Sequence, residues 1–247
     1  MNFGDLFKRI FGQQTAQTPA EEVISAEEII TEPSLSDLLP FPYREISERD
    51  SGKLLALWQD AHKDGVCPLL IAADEQFTEM IESNAWEYDS LPDLTEFYET
   101  AKTDLEEDEF SHFVIGNEGD DGEVMDEVGC PSLDDGAQLL LAEIPAKHPW
   151  DIFKALPIGG WNDCPDASFI AAFCKEMFES YGVRPVFVSG DMLIVKPERL
   201  PASKEEAYDL AWKLYAFCPD MVTQGLGSIH ALADSLRKSP LWQFWWD

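Results

Sequence analysis

An α+β fold, or a three-layer α/β one, with a mixed sheet packed against helices is what the 247-residue sequence predicts, and three observations predict it. Stretches with apolar residues at i, i+3 and i+4 alternate with short apolar runs bounded by Gly, Pro and Asp, so helices and strands are interspersed. Some strand-like runs are separated by a helix and others by a two-residue step, which calls for both crossovers and hairpins. Apolar residues make up 45% of the chain and aromatics 12%, with eight tryptophans, enough to bury a core despite the charge.

The first residues place Phe3, Leu6, Phe7, Ile10 and Phe11 on one side of a short amphipathic helix that Gly12 would end. Docking on its own domain, a partner or a bilayer surface all remain open for it. From Gln13 the composition turns to Gln, Thr, Ala, Glu, Ser and Pro, so residues 1–38 read as a helix and flexible linker. The globular pattern starts near Leu39. A helix over 48–62 carries Leu54, Leu55, Leu57 and Trp58, and Asp64-Gly65 breaks it before a buried strand at Val66–Ile71. Helices follow at Asp74–Ser83 and Leu94–Glu107, then a loop rich in Gly and acid. Gln138–Ile144 suits a strand, and a second apolar run spans Trp150–Ile158.

The strongest helical stripe is Pro165–Tyr181, with Gly182 as its natural terminator. Its start invites Asp163 or Cys164 as cap, Pro165 as first residue and Asp166 in the first turn. Val183–Ser189 and Met192–Val195 read as a hairpin around Gly190-Asp191. Ser203 opens a capping box with Glu206 for a helix through Tyr215, and Ser228–Arg237 is a shorter helix. The terminal Leu241–Trp246 is aromatic enough for a strand. Three regions result: 1–38, an acidic 39–144 and 145–247, with 39–247 also readable as one compact domain; strand order is not fixed by these patterns.

Charge divides the chain. Asp and Glu number 48 against 17 Lys and Arg, a net of −31, of which residues 148–247 carry only −4. Residues 74–135 hold 22 acids and one base, Lys102. Such a surface repels nucleic acid and anionic membrane and attracts a basic protein. Asp104, Glu106, Glu107, Asp108, Glu109, Asp120 and Asp121 are the candidate partner-binding residues, against the plain alternative of a solvated face. The Asn117–Gly122 stretch lacks the EF-hand ligand pattern, and the four histidines never fall at metal-ligand spacing, so neither a metal nor another cofactor is expected. No membrane span, secretory signal, Walker loop, GxSxG or Rossmann fingerprint is present, and five irregularly spaced cysteines suit reduced thiols, so a cytoplasmic protein without stable membrane insertion is expected.

Three polar clusters stand out near the C-terminus: Gly159-Gly160-Trp161-Asn162-Asp163-Cys164-Pro165, Cys218-Pro219-Asp220-Met221-Val222-Thr223-Gln224-Gly225, and Phe244-Trp245-Trp246-Asp247. In this order they resemble the bacterial family called domain of unknown function 4253. The resemblance covers about residues 145–247, extends weakly to the Cys67-Pro68-Leu69-Leu70 strand, and leaves the acidic insert and N-terminal helix outside. It implies a fold and a bacterial cytoplasmic setting, and no established activity or catalytic role.

The residues themselves leave two uses open. Trp161, Asn162, Asp163, Asp191, Asp220, Gln224, Trp245, Trp246 and Asp247 would form a structural hydrogen-bond network or a polar pocket with aromatic walls. Within it, Cys164 at a helix N-terminus would be a thiolate nucleophile, with His148 as base and Asp163 nearby, or simply part of a cap. Four of the five cysteines precede proline, which favours a structural use. The expected function is therefore a non-catalytic module whose acidic surface engages a basic protein, an immunity protein for a toxin being one form. The alternative is a small-molecule binder or small enzyme using the Trp/Asn/Asp/Cys pocket.

Overall fold

The computed structural model describes residues 34–84, 88–128 and 137–247. The amphipathic segment at 1–12, most of the linker and Cys130 lie outside these residues. The end of the expected linker is ordered: α1 (Leu35–Leu38) is a single turn closed by Ser34, whose hydroxyl donates to Asp37 Oδ2 at 2.6 Å.

Strand β1 (Tyr43–Glu45) leads into α2 (Ser51–Asp60), where the Asp50 carboxylate accepts from Lys53 N at 3.0 Å. Strand β2 (Val66–Ala73) is followed by α3 (Glu75–Ser83), capped by Asp74 on Phe77 N at 2.7 Å. Helices α4 (Thr95–Glu107) and α5 (Ser111–Ile115) come next, then β3 (Gln138–Pro145). The second apolar run forms a 3₁₀ turn at Pro149–Asp151 and a short α6 (Ile152–Ala155) that bury Ile152 and Phe153. Then follow α7 (Ala167–Tyr181), β4 (Arg184–Val188), β5 (Met192–Lys196), α8 (Lys204–Phe217), a π-helical turn (Met221–Leu226), α9 (Ile229–Leu236) and β6 (Trp242–Trp245).

These strands make one six-stranded sheet in the order β1-β3-β2-β4-β5-β6. All neighbours run antiparallel except β2 and β4, which pair parallel at the centre, Leu70 opposite Phe187 and Ile71 opposite Val188. Strands from 39–144 and from 145–247 thus share one ladder, a mixed sheet within an α+β architecture.

Alternation along β2 sends Leu69 and Ile71 to one side and Leu70 and Ala72 to the other. The first side carries the larger core, where α3, α6, α7, α8 and α9 pack and Phe173 stacks on Phe217 at 3.8 Å between ring centres. The second side is covered by α2 through Leu54 and Trp58. Trp58 has a specific task there. Its Nε1 donates to the carbonyls of Pro68 and Pro185, at 3.0 and 3.1 Å, and so ties α2 to both central strands beside prolines that have no N–H for the ladder.

Candidate functional site

The helix-start motif is a closed turn, and its cap is Asp166. Gly160 N donates to the carbonyls of Cys164 and Pro165, at 3.2 and 3.1 Å, folding residues 160–165 back on themselves. Asp166 Oδ1 then accepts from Ser168 N and Phe169 N at 2.8 and 3.1 Å, so α7 begins at Ala167 and not with Pro165. This corrects the expectation of Asp163 or Cys164 at the cap. A cap oxygen must reach amides two and three positions on, and the tight turn leaves Asp166 placed for that. Gly159 is required here: at φ +94° its added Cβ would lie 2.0 Å from the Pro165 carbonyl. Asn84, which no sequence motif singled out, clamps the same turn through Nδ2, donating to Gly159 O at 2.6 Å and Pro157 O at 3.1 Å.

Trp161 is half exposed at the crest of this turn, beside exposed Asn162, which takes the left-handed conformation at φ +49°. Cys164 is only partly exposed, and burial of its thiol pushes the pKa well above the ordinary value, with Cys218 and Asp166 nearby adding to the rise. That shift opposes a thiolate at neutral pH. His148 lies elsewhere, its ring stacked on Trp150 at 4.6 Å, and among the described residues no hydrogen bond joins it to Cys164. Its backbone N donates instead to Asp151 Oδ2 at 3.1 Å.

The other two clusters meet each other. The Cys218 thiol donates to the Trp245 carbonyl at 3.0 Å, and burial raises its pKa to about 12. Asp220 Oδ2 accepts from Asp247 N at 3.2 Å, and the Asp191 carbonyl accepts from Trp246 N at 3.1 Å. Gly225 leaves room for the Trp245 ring, whose Cη2 would stand 2.6 Å from an alanine Cβ there. Gln224 is exposed on the π-helical turn. Asp191, Asp220, Trp245, Trp246 and Asp247 therefore form one hydrogen-bonded corner. Trp161, Asn162 and Asp163 occupy the GGWNDCP turn, which adjoins this corner where Cys164 lies near Cys218. Among the described residues no group of three or more His, Cys, Asp or Glu side chains could hold a metal ion.

The acidic residues are mounted on this C-terminal scaffold. Asp104, Glu106 and Glu107 project from the exposed side of α4, and Asp108 and Glu109 continue past its end, where Asp108 Oδ1 accepts from Phe110 N at 2.7 Å. Residues 116–128 then run as an irregular strap along α9 and the start of β6. Asp120 Oδ2 accepts from the Ser228 hydroxyl at 2.8 Å, and the Asp234 carboxylate accepts from Gly122 N at 3.1 Å. Ser235 donates to the Glu123 carbonyl at 2.5 Å, and the Ser239 hydroxyl accepts from Met125 N at 3.0 Å. Gln243 Nε2 donates to the Glu127 carbonyl at 2.6 Å. Serines, Asp234 and Gln243 thus hold the strap, mostly through its backbone, leaving most of its carboxylates to solvent. Asp120 is the exception: the Asn117 amide and the Ser228 hydroxyl hold its pKa below the ordinary carboxylate value.

Between 104 and 127 the sequence has eleven acids and no Lys or Arg. Among the described residues one ion pair reaches them, Lys102 to Glu106 at 3.9 Å. Phe110 and Phe113 stand in their midst with 59% and 67% of their surface exposed, an apolar feature the charge pattern did not announce.

Fold and surface together define an α+β protein in which an acidic strap is built onto a helix-and-sheet C-terminal region. Residues 140–247 match the family model described as Domain of unknown function (DUF4253). The match begins within β3 and takes in the three C-terminal clusters and every anchor of the strap on α9 and β6, while the strap and α4 precede it. No curated protein and no solved structure matches the chain. No helix among the described residues is long and apolar enough to cross a membrane.

Proposed function

We propose that this protein is a non-catalytic binding module of the bacterial cytoplasm whose acidic face engages a basic protein, in the manner of an immunity protein that neutralises a toxin. One observation carries the reading: among the described residues a single ion pair, Lys102 to Glu106, reaches the acids between 104 and 127, and two phenylalanines stand exposed among them. Unpaired like charge raises the energy of the free protein, and a cationic partner relieves it. Opposed potentials also speed encounter and exclude acidic competitors. Exposed aromatics beside such charge supply the apolar contact area that charge alone lacks.

The test is to neutralise four residues together, Glu106→Gln, Glu107→Gln, Asp108→Asn and Glu109→Asn. Binding of a basic protein captured from the native cell should then show a lower association rate and a flatter dependence on salt. Unchanged association kinetics would remove the reading.

A further inference from the structure

The strap has two sides. Against α8 and α9 it closes a cleft of about 390 Å³ in which Lys204 and Arg237 stand among the acids, so both signs of charge are present. On the other side lies a groove of about 570 Å³ with no Lys, Arg or His in its lining. Its floor is apolar: Met221, Leu226, Met125 and the half-buried ring of Trp245. Its rim carries Asp121, Glu123, Asp126 and Glu127, all exposed.

Each wall is held in place by contacts that leave its binding groups free. Trp245 is fixed by its backbone in β6, opposite Met192, and by the bare Gly225 beneath its ring. The strap wall is fixed by Ser235, Ser239, Leu241 and Gln243 through its backbone. None of these contacts uses the carboxylates of Glu123, Asp126 or Glu127. Elsewhere the protein places its own cations over aromatic rings, for example Arg199 over Tyr181 at 4.4 Å and Lys102 over Trp212 at 5.3 Å. Among the described residues no cation lies over Trp245.

We infer that this groove seats an arginine side chain from an extended basic segment of a partner protein. The inference deepens the proposed function and rests on it, by naming the subsite and the chemistry it takes. An indole face attracts a guanidinium through its quadrupole and its flat surface, and the planar fork pairs with carboxylates at the rim. Lysine, a strongly hydrated point charge, gains less from the flat indole. The apolar floor accepts the methylene stem. A groove of this size falls within the usual range for ligand sites, about 300–1,000 Å³.

The probes are three Gly/Ser peptides of equal length, bearing arginine, lysine or citrulline at the same positions, titrated into the full ¹⁵N-labelled chain. The expected result is a shift of the Trp245 indole resonance with the arginine peptide, weaker binding of lysine and none of citrulline. The variant E123Q/D126N/E127Q should weaken the arginine peptide at least about tenfold, or about 1.4 kcal/mol. The variant E106Q/E107Q/D108N/E109N, which leaves the groove intact, should weaken it by no more than about threefold, the share expected of long-range attraction. Equal losses in both variants, an unmoved Trp245 indole, or lysine binding as tightly as arginine would each overturn the assignment. If the peptide fails while a basic protein is still captured through residues 106–109, the groove is wrong and the acidic face stands. If the peptide binds and no basic protein is captured, the reverse holds.

Discussion

Replacing Gly122 by alanine should lift the acidic strap from α9. An added Cβ would lie 2.0 Å from the Ala231 carbonyl and 2.7 Å from Ser235 N, both in helix backbone, so the strap must move and not the helix. Two bonds depend on that seat directly, Gly122 N to Asp234 and Ser235 to the Glu123 carbonyl. A bond to a charged group contributes about 1.5–3 kcal/mol and a neutral one about 0.5–1.5 kcal/mol. Asp234 is one-third exposed, which screens its share, so the lower end applies and opening becomes easier by about 2 kcal/mol. By amide hydrogen exchange this is a loss of about 30-fold in protection, from about 1.4 kcal/mol per factor of ten. The amide to follow is Met125, whose bond to Ser239 lies further along the strap and is not touched by the new methyl group. Unchanged Met125 protection in a folded Gly122→Ala protein would refute the idea that the strap is seated as one unit.

Other outcomes follow from the same geometry. Trp58→Phe removes the donor shared by two buried carbonyls and should cost about 1–3 kcal/mol in a denaturant melt; an unmoved midpoint would show that the indole N–H is not what ties α2 to the sheet. Gly159→Ala combines a left-handed backbone with a blocked Cβ and should destabilise by about 2–5 kcal/mol. Gly119→Ala, at φ +108° with open space around it, should cost only the backbone part, about 1–3 kcal/mol, and equal losses would contradict the close approach to Pro165. Burial raises the Cys164, Cys174 and Cys218 thiols, so iodoacetamide at pH 8 should leave all three unmodified in the native protein while a free thiol reacts; rapid labelling of Cys164 would reopen its role as a nucleophile. Asp234 is held below the ordinary carboxylate value, first by the Lys238 ammonium and then by the Gly122 amide. Its contribution is therefore present above the unfolded value and lost as pH falls through the folded one. Gly122 protection should drop on acidification below about pH 4, and the Asp234→Asn protein should show a flatter profile.

Local chemistry made much of the fold legible. Asp50, Asp74, Ser203 and Ser228 each accept from the amide three residues on, and Gly182 takes the left-handed conformation at the end of α7. Such caps are visible because both partners lie within one turn. β1 has only three residues and α5 five, too few for any period to register. The π-helical turn at 221–226 follows neither the helical nor the strand spacing. Asp163 lost the cap to Asp166 because the turn that decides between them depends on Gly160 and on Asn84, 73 residues before Pro157.

The site divides the same way. Acid composition alone marked the 104–121 surface, since charge density needs no partner to be read. The seat of the strap joins residues more than 100 positions apart, Asp120 to Ser228 and Glu127 to Gln243, and pairs neutral serines with backbone that has no pattern of its own. Trp245 is part of a terminal aromatic cluster in sequence, yet in the fold it forms the floor of an acidic groove whose rim comes from 121–127.

The central claim is tested most directly by capture from the native cell lysate on the wild-type chain and on the E106Q/E107Q/D108N/E109N chain, at low and high salt, with mass spectrometry of what elutes. One stoichiometric basic protein is expected, bound by the wild type at low salt, released at high salt and held more weakly by the variant. A partner retained equally by both chains, or none on the wild type at either salt, would contradict it.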